Sequence, residues 1–324
     1  MAGRHLKELF RAFRARDELA FRRAGQAIVD EEQAKQHHAL ARDLLKLLVA
    51  GGNATDAATQ LVLPAPPTDR EGEWPLGEVR TGEWMLEDLV LAPEVATSLR
   101  GLITEVARWP ELDAAGIPRR QRVLLEGPPG CGKTTAAEAV ATELGRPLLL
   151  VRLDAVVSSY LGETASNLRR ILDYASQAPF VVLFDEFDAL GRSRDDAAEH
   201  GEMKRVVTAF LQMIDNYRGP SVLLTATNHP GLLDAALWRR FGEVLRFRLP
   251  TVHQLRVLLR LRLRAVPHRA VPIEATATAL KGLPHAAVDR FVANARRAAL
   301  IDGRRELTDH DVKGALAAVT HRPW

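Results

Sequence analysis

Eight consecutive residues, Gly127-Pro128-Pro129-Gly130-Cys131-Gly132-Lys133-Thr134, have the make-up of a loop that holds phosphate. They fit the spacing G-x-x-x-x-G-K-[ST], follow the apolar run Arg122 to Leu125, and precede a helical run from Ala136 to Leu144. Glycines let backbone N–H groups converge on an anion at a helix N-terminus, where the helix dipole favours negative charge. Lys133 is placed to reach the β and γ phosphates of a nucleotide, and the Thr134 hydroxyl to sit on Mg²⁺, with Thr135 next in line. A glycine turn that binds nothing would need neither the strand before the motif nor the helix after it. Cys131 fills a variable position as a small residue, and its thiol is expected beside the phosphates, where alkylation would block nucleotide entry.

A second chemical cluster follows in Val181-Val182-Leu183-Phe184-Asp185-Glu186. Four apolar residues bury a strand, and two acids are delivered at its carboxyl end. The chemistry expected of them divides: Asp185 holds Mg²⁺ through its water shell, and Glu186 orients and deprotonates an attacking water. An acidic pair ending a strand is common by itself. Downstream of a phosphate loop it completes a hydrolytic site.

These residues need a frame. Short apolar runs at Arg122 to Leu125, Leu148 to Leu153, Phe180 to Phe184, Val222 to Thr225 and Val244 to Leu249 alternate with helix-length amphipathic segments. That alternation predicts a parallel sheet covered by helices on both faces, with ligands at the carboxyl ends of the strands. From Pro250 the pattern turns helical, opening with Thr251 and Gln254 in capping-box spacing. Ahead of the sheet, Leu6, Leu9, Phe10 and Phe13, then Leu40, Leu44, Leu45, Leu47 and Leu48, recur at helical spacing. Gly51 and Gly52 stop the second run, and Pro64, Pro66 and Pro67 mark a linker. The domains read as N-terminal helices over 1–50, a linker over 51–83, a large α/β domain over 84–249, and a helical lid over 250–324.

Composition bounds the rest. The 324 residues are 47% hydrophobic and 26% charged, as in globular proteins with a sizeable core. No apolar stretch is long enough to span a bilayer, and no cleavable leader is visible, so no membrane contact and a cytoplasmic location are expected. The basic first 23 residues could imitate an organellar presequence, but Glu8, Asp17 and Glu18 argue against one. The single cysteine excludes an internal disulfide and a cysteine-based zinc site. Ten histidines show no metal-ligand spacing, so no metal beyond Mg²⁺ is expected. From Arg239 to Arg269 there are nine arginines against one acid, Glu243, a stretch that could face nucleic acid or form a solvated helix face.

With these residues in place, the chain resembles the AAA family within the AAA+ ATPases over roughly residues 84 to 320. Gly127 to Thr134 looks like the Walker A motif and Phe184 to Glu186 like Walker B. The resemblance implies a P-loop αβα sandwich with a five-stranded parallel sheet, an all-α lid, and ATP with Mg²⁺ bound at Pro128, Pro129, Gly130, Cys131, Gly132, Lys133, Thr134, Thr135 and Asp185. Thr225-Ala226-Thr227-Asn228 looks like sensor 1, with Asn228 on the lytic water or the γ phosphate. Leu233 to Phe241 is similar to the segment carrying arginine fingers. The family often separates its two arginines by a short insert; here Arg239 and Arg240 are adjacent, and either is a candidate. Ser158 to Thr164 resembles a threading pore loop, in which Tyr160, Leu161 and Gly162 would grip a polypeptide without reading its sequence. The family also places the base near Asp88 to Val90; His285 could equally be a lid surface residue. No arginine occupies the sensor 2 position of the lid, and the first 83 residues match no adaptor domain.

The expectation is a homo-oligomeric ring, a hexamer, that hydrolyses ATP to remodel or unfold a protein substrate through its pore. A separate protease or adaptor would bind the N-terminal helices. The alternative is an ATP-driven nucleic-acid-binding or complex-assembly switch that uses the arginine-rich stretch.

Overall fold

The computed structural model describes residues 64–70, 72, 74–157, 161–190, 197–229, 231, 238–264, 266–267 and 271–324, with nine residues between His5 and Glu31. Met1–Leu63 is one compact unit and Pro64–Trp324 another. In the first, the described residues are helical, and Ala24 and Val29 are buried.

The second unit begins with β1 (Gly77–Arg80), followed by α1 (Pro93–Ala107), α2 (Trp109–Ala114), β2 (Arg122–Glu126) and α3 (Lys133–Glu143). Next come β3 (Leu148–Val151), α4 (Leu153–Val156), α5 (Leu161–Ala175), β4 (Val181–Phe184), α6 (Ala197–Asn216), β5 (Val222–Thr227) and β6 (Glu243–Arg246). Among the described residues four helices follow: α7 (Val252–Leu263), α8 (Ile273–Ala279), α9 (His285–Ile301) and α10 (Asp309–Thr320).

The sheet has the order β1-β3-β4-β5-β2-β6. Five strands pair in parallel, and β1 runs antiparallel to β3 on the edge. The sequence predicted five strands; the sixth lies inside the stretch read as linker. Its Gly77 packs so closely that an added Cβ would stand 3.0 Å from Leu149 Cδ1 and 3.2 Å from the Leu150 carbonyl oxygen. Leu76 just before it is fully buried.

β4 and β5 are buried along their whole length, as parallel strands covered on both faces require. On one face α1 presents Val95, Leu99, Leu102 and Val106, a helical stripe, to the small buried residues Ala136, Ala137, Ala139 and Val140 of α3. Full burial of a leucine such as Leu99 contributes about 1.5–3 kcal/mol. On the other face Phe184 and Phe187 pack on Phe210 of α6 at centroid distances of 4.9 and 4.7 Å. The lid has its own core around Leu255, Leu259, Val288, Phe291 and Ala295. The predicted capping box at its start is present: Gln254 N–H donates to Thr251 Oγ1 at 3.2 Å, and Thr251 N–H to Gln254 Oε1 at 2.9 Å. Such a cap contributes about 1 kcal/mol.

Strand order fixes where the chemistry goes. Glu126, the last residue of β2, is level with Thr227 of β5, and Phe184 of β4 is level with Thr225. The loops after β2, β4 and β5 therefore leave the same edge of the sheet side by side.

Candidate nucleotide site

The loop after β2 is shaped by two glycines. Gly127 has φ +142°, and an added Cβ would lie 2.0 Å from the Phe247 carbonyl oxygen, so no side chain fits. Gly132 caps α3 in the left-handed region at φ +91°. α3 then starts at Lys133, and the N–H groups of its first turn have no partner within the helix, as an anion site needs.

The Lys133 ammonium is buried and donates to the carbonyl oxygens of Gly127 (2.7 Å) and Pro128 (2.9 Å) and to Asn228 Oδ1 (2.8 Å). Burial pushes its pKa down, with the carboxylates of Asp185, Asp188 and Glu186 among the groups working against that push. The Thr134 hydroxyl donates to Asp185 Oδ2 at 2.6 Å. Glu186 follows with φ +50°, in the left-handed region for a residue that has a Cβ, and its N–H donates to Asp185 Oδ1 at 2.9 Å. Such strain costs on the order of 1–3 kcal/mol and clusters at functional sites. Glu186 is exposed to the cleft, while Phe187 behind it is fully buried.

One residue of this site was not found in the sequence. Asp188, 2% exposed, accepts from the Asn228 backbone N–H at 3.0 Å and from the Thr227 hydroxyl at 3.2 Å. It ties the turn after β4 to the end of β5, and thereby holds Asn228 beside Lys133. An acid inside the apolar run Phe187-Asp188-Ala189-Leu190 was the available signal, since a buried carboxylate needs a partner.

The site opens on a cleft of about 270 Å³ between the sheet edge and the lid. Pro129, Gly130, Gly132, Lys133, Thr134 and Thr135 line one side; Trp84, Leu89, Val90 and Leu258 line an apolar end. The lid touches the loop directly: Ala286 N–H donates to the Gly130 carbonyl at 3.0 Å. His285 is half-buried. Its Nε2 lies 3.0 Å from the Val90 carbonyl oxygen, and burial holds its pKa below the ordinary value. Beside it Arg262 pairs with Asp289 at 2.6 Å, donates to the Asp88 carbonyl at 3.1 Å and lies 4.7 Å from the centre of the Trp84 ring.

Cys131 lines the cleft with its neighbours, but its thiol does not fit the expected ease of alkylation. It is 2% exposed and packs in the core beneath the sheet, and burial raises its pKa. A buried, protonated thiol is a poor target for alkylation.

The two arginine candidates separate. Arg240 donates to Asp215 Oδ2 at 2.5 Å, and Arg122 holds the other oxygen of Asp215 at 2.5 Å. Arg239 is exposed. Residues 233–237 of that segment lie outside the described residues, as do Ser158, Ser159 and Tyr160 of the expected pore loop. Leu161 and Gly162 open α5.

Comparison with known proteins gives a consistent answer. The family model described as "ATPase family associated with various cellular activities (AAA)" matches residues 123–249. The uncharacterized AAA family ATPase y4kL of Sinorhizobium fredii is 41% identical over 314 residues, which cover 97% of this chain and 94% of that one. The proteasome-activating nucleotidase of Pyrococcus furiosus is 32% identical over 229 residues, 68% of this chain and 58% of the relative. The peroxisomal ATPase PEX6 of Dictyostelium discoideum is 43% identical over 134 residues, 40% of this chain and 11% of the relative. Similarity that spans nearly the whole of two chains, laid over a loop and two acids arranged for phosphoryl chemistry, shows that this chain belongs to the AAA family and hydrolyses ATP.

Proposed function

We propose that the chain is the subunit of a ring, a hexamer, that spends ATP hydrolysis on remodelling or unfolding a protein substrate drawn through a central pore. The observation that carries this reading is the contact of lid and phosphate loop through Ala286 and Gly130. A nucleotide in the cleft touches both bodies, so its hydrolysis can change the angle between them, and a ring of such hinges converts that change into pulling. The names of the proteasome-activating nucleotidase and PEX6 relatives support the same direction. In this reading the sheet domain spans 84–249 together with the edge strand and the segment before it, the lid spans 250–324, and the region of 1–50 selects a partner such as an adaptor or a protease in the cytoplasm.

The residues divide the work of hydrolysis. Lys133 exchanges its carbonyl contacts for phosphate oxygens. Glu186 takes the proton of the attacking water, and Asn228, held by Asp188, orients that water or the γ phosphate. Arg239 reaches the nucleotide of the neighbouring subunit, while Arg240 positions the segment. Thr134 and Asp185 offer two hard oxygens 2.6 Å apart, a donor set that fits Mg²⁺. When bound, Mg²⁺ neutralises charge on the phosphates.

A nucleic-acid switch is the weaker reading. Much of the basic stretch is compensated within the chain: Arg240 by Asp215, Arg246 by Glu126, Arg256 and Arg260 by Glu274, and Arg262 by Asp289.

The test is the ATPase rate of wild type and Tyr160→Ala with and without an unfolded model protein, alongside assembly size in each nucleotide state. Stimulation of the wild type alone, in a ring, is expected. Absence of stimulation in both would overturn threading.

A further inference from the structure

We propose that His285 reads the nucleobase: its Nδ1 accepts a hydrogen bond from the exocyclic amine of adenine and sets the preference of the cleft for adenine over guanine nucleotides. This rests on the reading of the cleft as an ATP site.

The contact with Val90 sets the tautomer of His285. Nε2 lies 3.0 Å from the carbonyl oxygen of Val90, which can only accept, so Nε2 carries the proton. In a neutral ring Nδ1 is then a lone pair. It is buried and has no hydrogen-bond partner. Among the described residues that line the cleft, it is the buried side-chain polar atom left in that condition. A buried acceptor without a donor is costly, and a ligand that supplies the donor recovers the loss.

The surroundings select the donor. Of the charged side chains at this end, Arg262 donates to Asp289 Oδ1 and to the Asp88 carbonyl. Trp84, Leu89, Val90 and Leu258 are apolar and suit the faces of a flat heterocycle. His285 precedes Ala286, whose N–H holds the phosphate loop at Gly130, and both residues line the cleft. A base seated there meets the unpartnered Nδ1 acceptor of His285. Adenine presents an amine to such an acceptor, whereas guanine carries a carbonyl oxygen at the same ring position and would set lone pair against lone pair.

The experiment is equilibrium binding of ATP, GTP and purine riboside triphosphate to the full chain and to His285→Ala, in Mg²⁺. Purine riboside triphosphate keeps the ribose and phosphates of ATP and lacks only the amine, so a ribose hydroxyl as the donor is separated from the base. Wild type should bind ATP roughly tenfold more tightly than the analogue, and His285→Ala should bind the two within about twofold. His285→Gln, whose amide can both donate to Val90 and accept, should keep part of the preference. In wild type the ¹⁵N resonance of His285 Nδ1 should move with ATP and stay in place with the analogue, a readout that needs no variant. Equal binding of ATP and analogue by wild type, or full preference retained in His285→Ala, would overturn the inference alone. Binding of none of the three would overturn the nucleotide reading and the inference with it.

Discussion

The carboxylate of Asp188 accepts the backbone N–H of Asn228 at 3.0 Å, joining the turn after one strand to the end of the next. The bond matters because Asn228 Oδ1 in turn takes a hydrogen bond from Lys133 at 2.8 Å. Three loops, each following a different parallel strand, are thus held in one register by a carboxylate that touches neither phosphate nor water in the proposed reaction.

Asp188→Ala should lower ATP turnover by about 10²-fold, the size expected when a reacting group is displaced by an ångström or so, while ATP affinity changes little. Asp188→Asn keeps an oxygen that can accept from Asn228 and should recover part of the rate. Steady-state kinetics that split kcat from KM check this. A loss confined to KM would assign Asp188 to binding instead.

Arg239 and Arg240 should fail in different ways. Arg239 is exposed, so Arg239→Ala should leave the melting temperature unchanged and cut turnover of the assembled ring by about 10³-fold or more. Arg240 is paired with Asp215, and Arg240→Ala should cost about 1 kcal/mol of stability. Thermal melts and ATPase rates of the two variants decide it. The reverse pattern would make Arg240 the residue that reaches the neighbour.

His285 should add a pH dependence to stability. Its folded pKa lies below the ordinary value of 6.5, so the neutral ring is the form the fold accommodates. Its contribution is intact above about pH 6.5 and is lost as pH falls through the folded pKa. Between about pH 7 and pH 5 the wild-type melting temperature should therefore fall further than that of His285→Gln. Parallel slopes in calorimetry would contradict this.

What the sequence made legible was chemistry carried by neighbours in the chain. The phosphate loop and Asp185-Glu186 announce themselves because glycines, lysine and two acids must sit at fixed local spacings after apolar runs. Contacts between distant segments were not legible. Asp188 meets a strand end 40 positions away, His285 a carbonyl 195 positions away, and Arg240 an acid 25 positions before it. β1 escaped notice because four residues with two charges, Glu78 and Arg80, carry little strand signal; the edge position and the close approach of Gly77 to β3 make the strand. The Cys131 side chain turns into the core, a direction that spacing within a loop does not encode.

The central claim is that Glu186 is the base of an ATP-hydrolysing site built on Lys133, Thr134 and Asp185. The most direct measurement is ATP binding and steady-state hydrolysis by wild type and Glu186→Gln under the same conditions. The variant should bind ATP as wild type does and turn it over about 10² to 10⁴ times more slowly, as for a lost general base. Wild-type turnover by Glu186→Gln would contradict it.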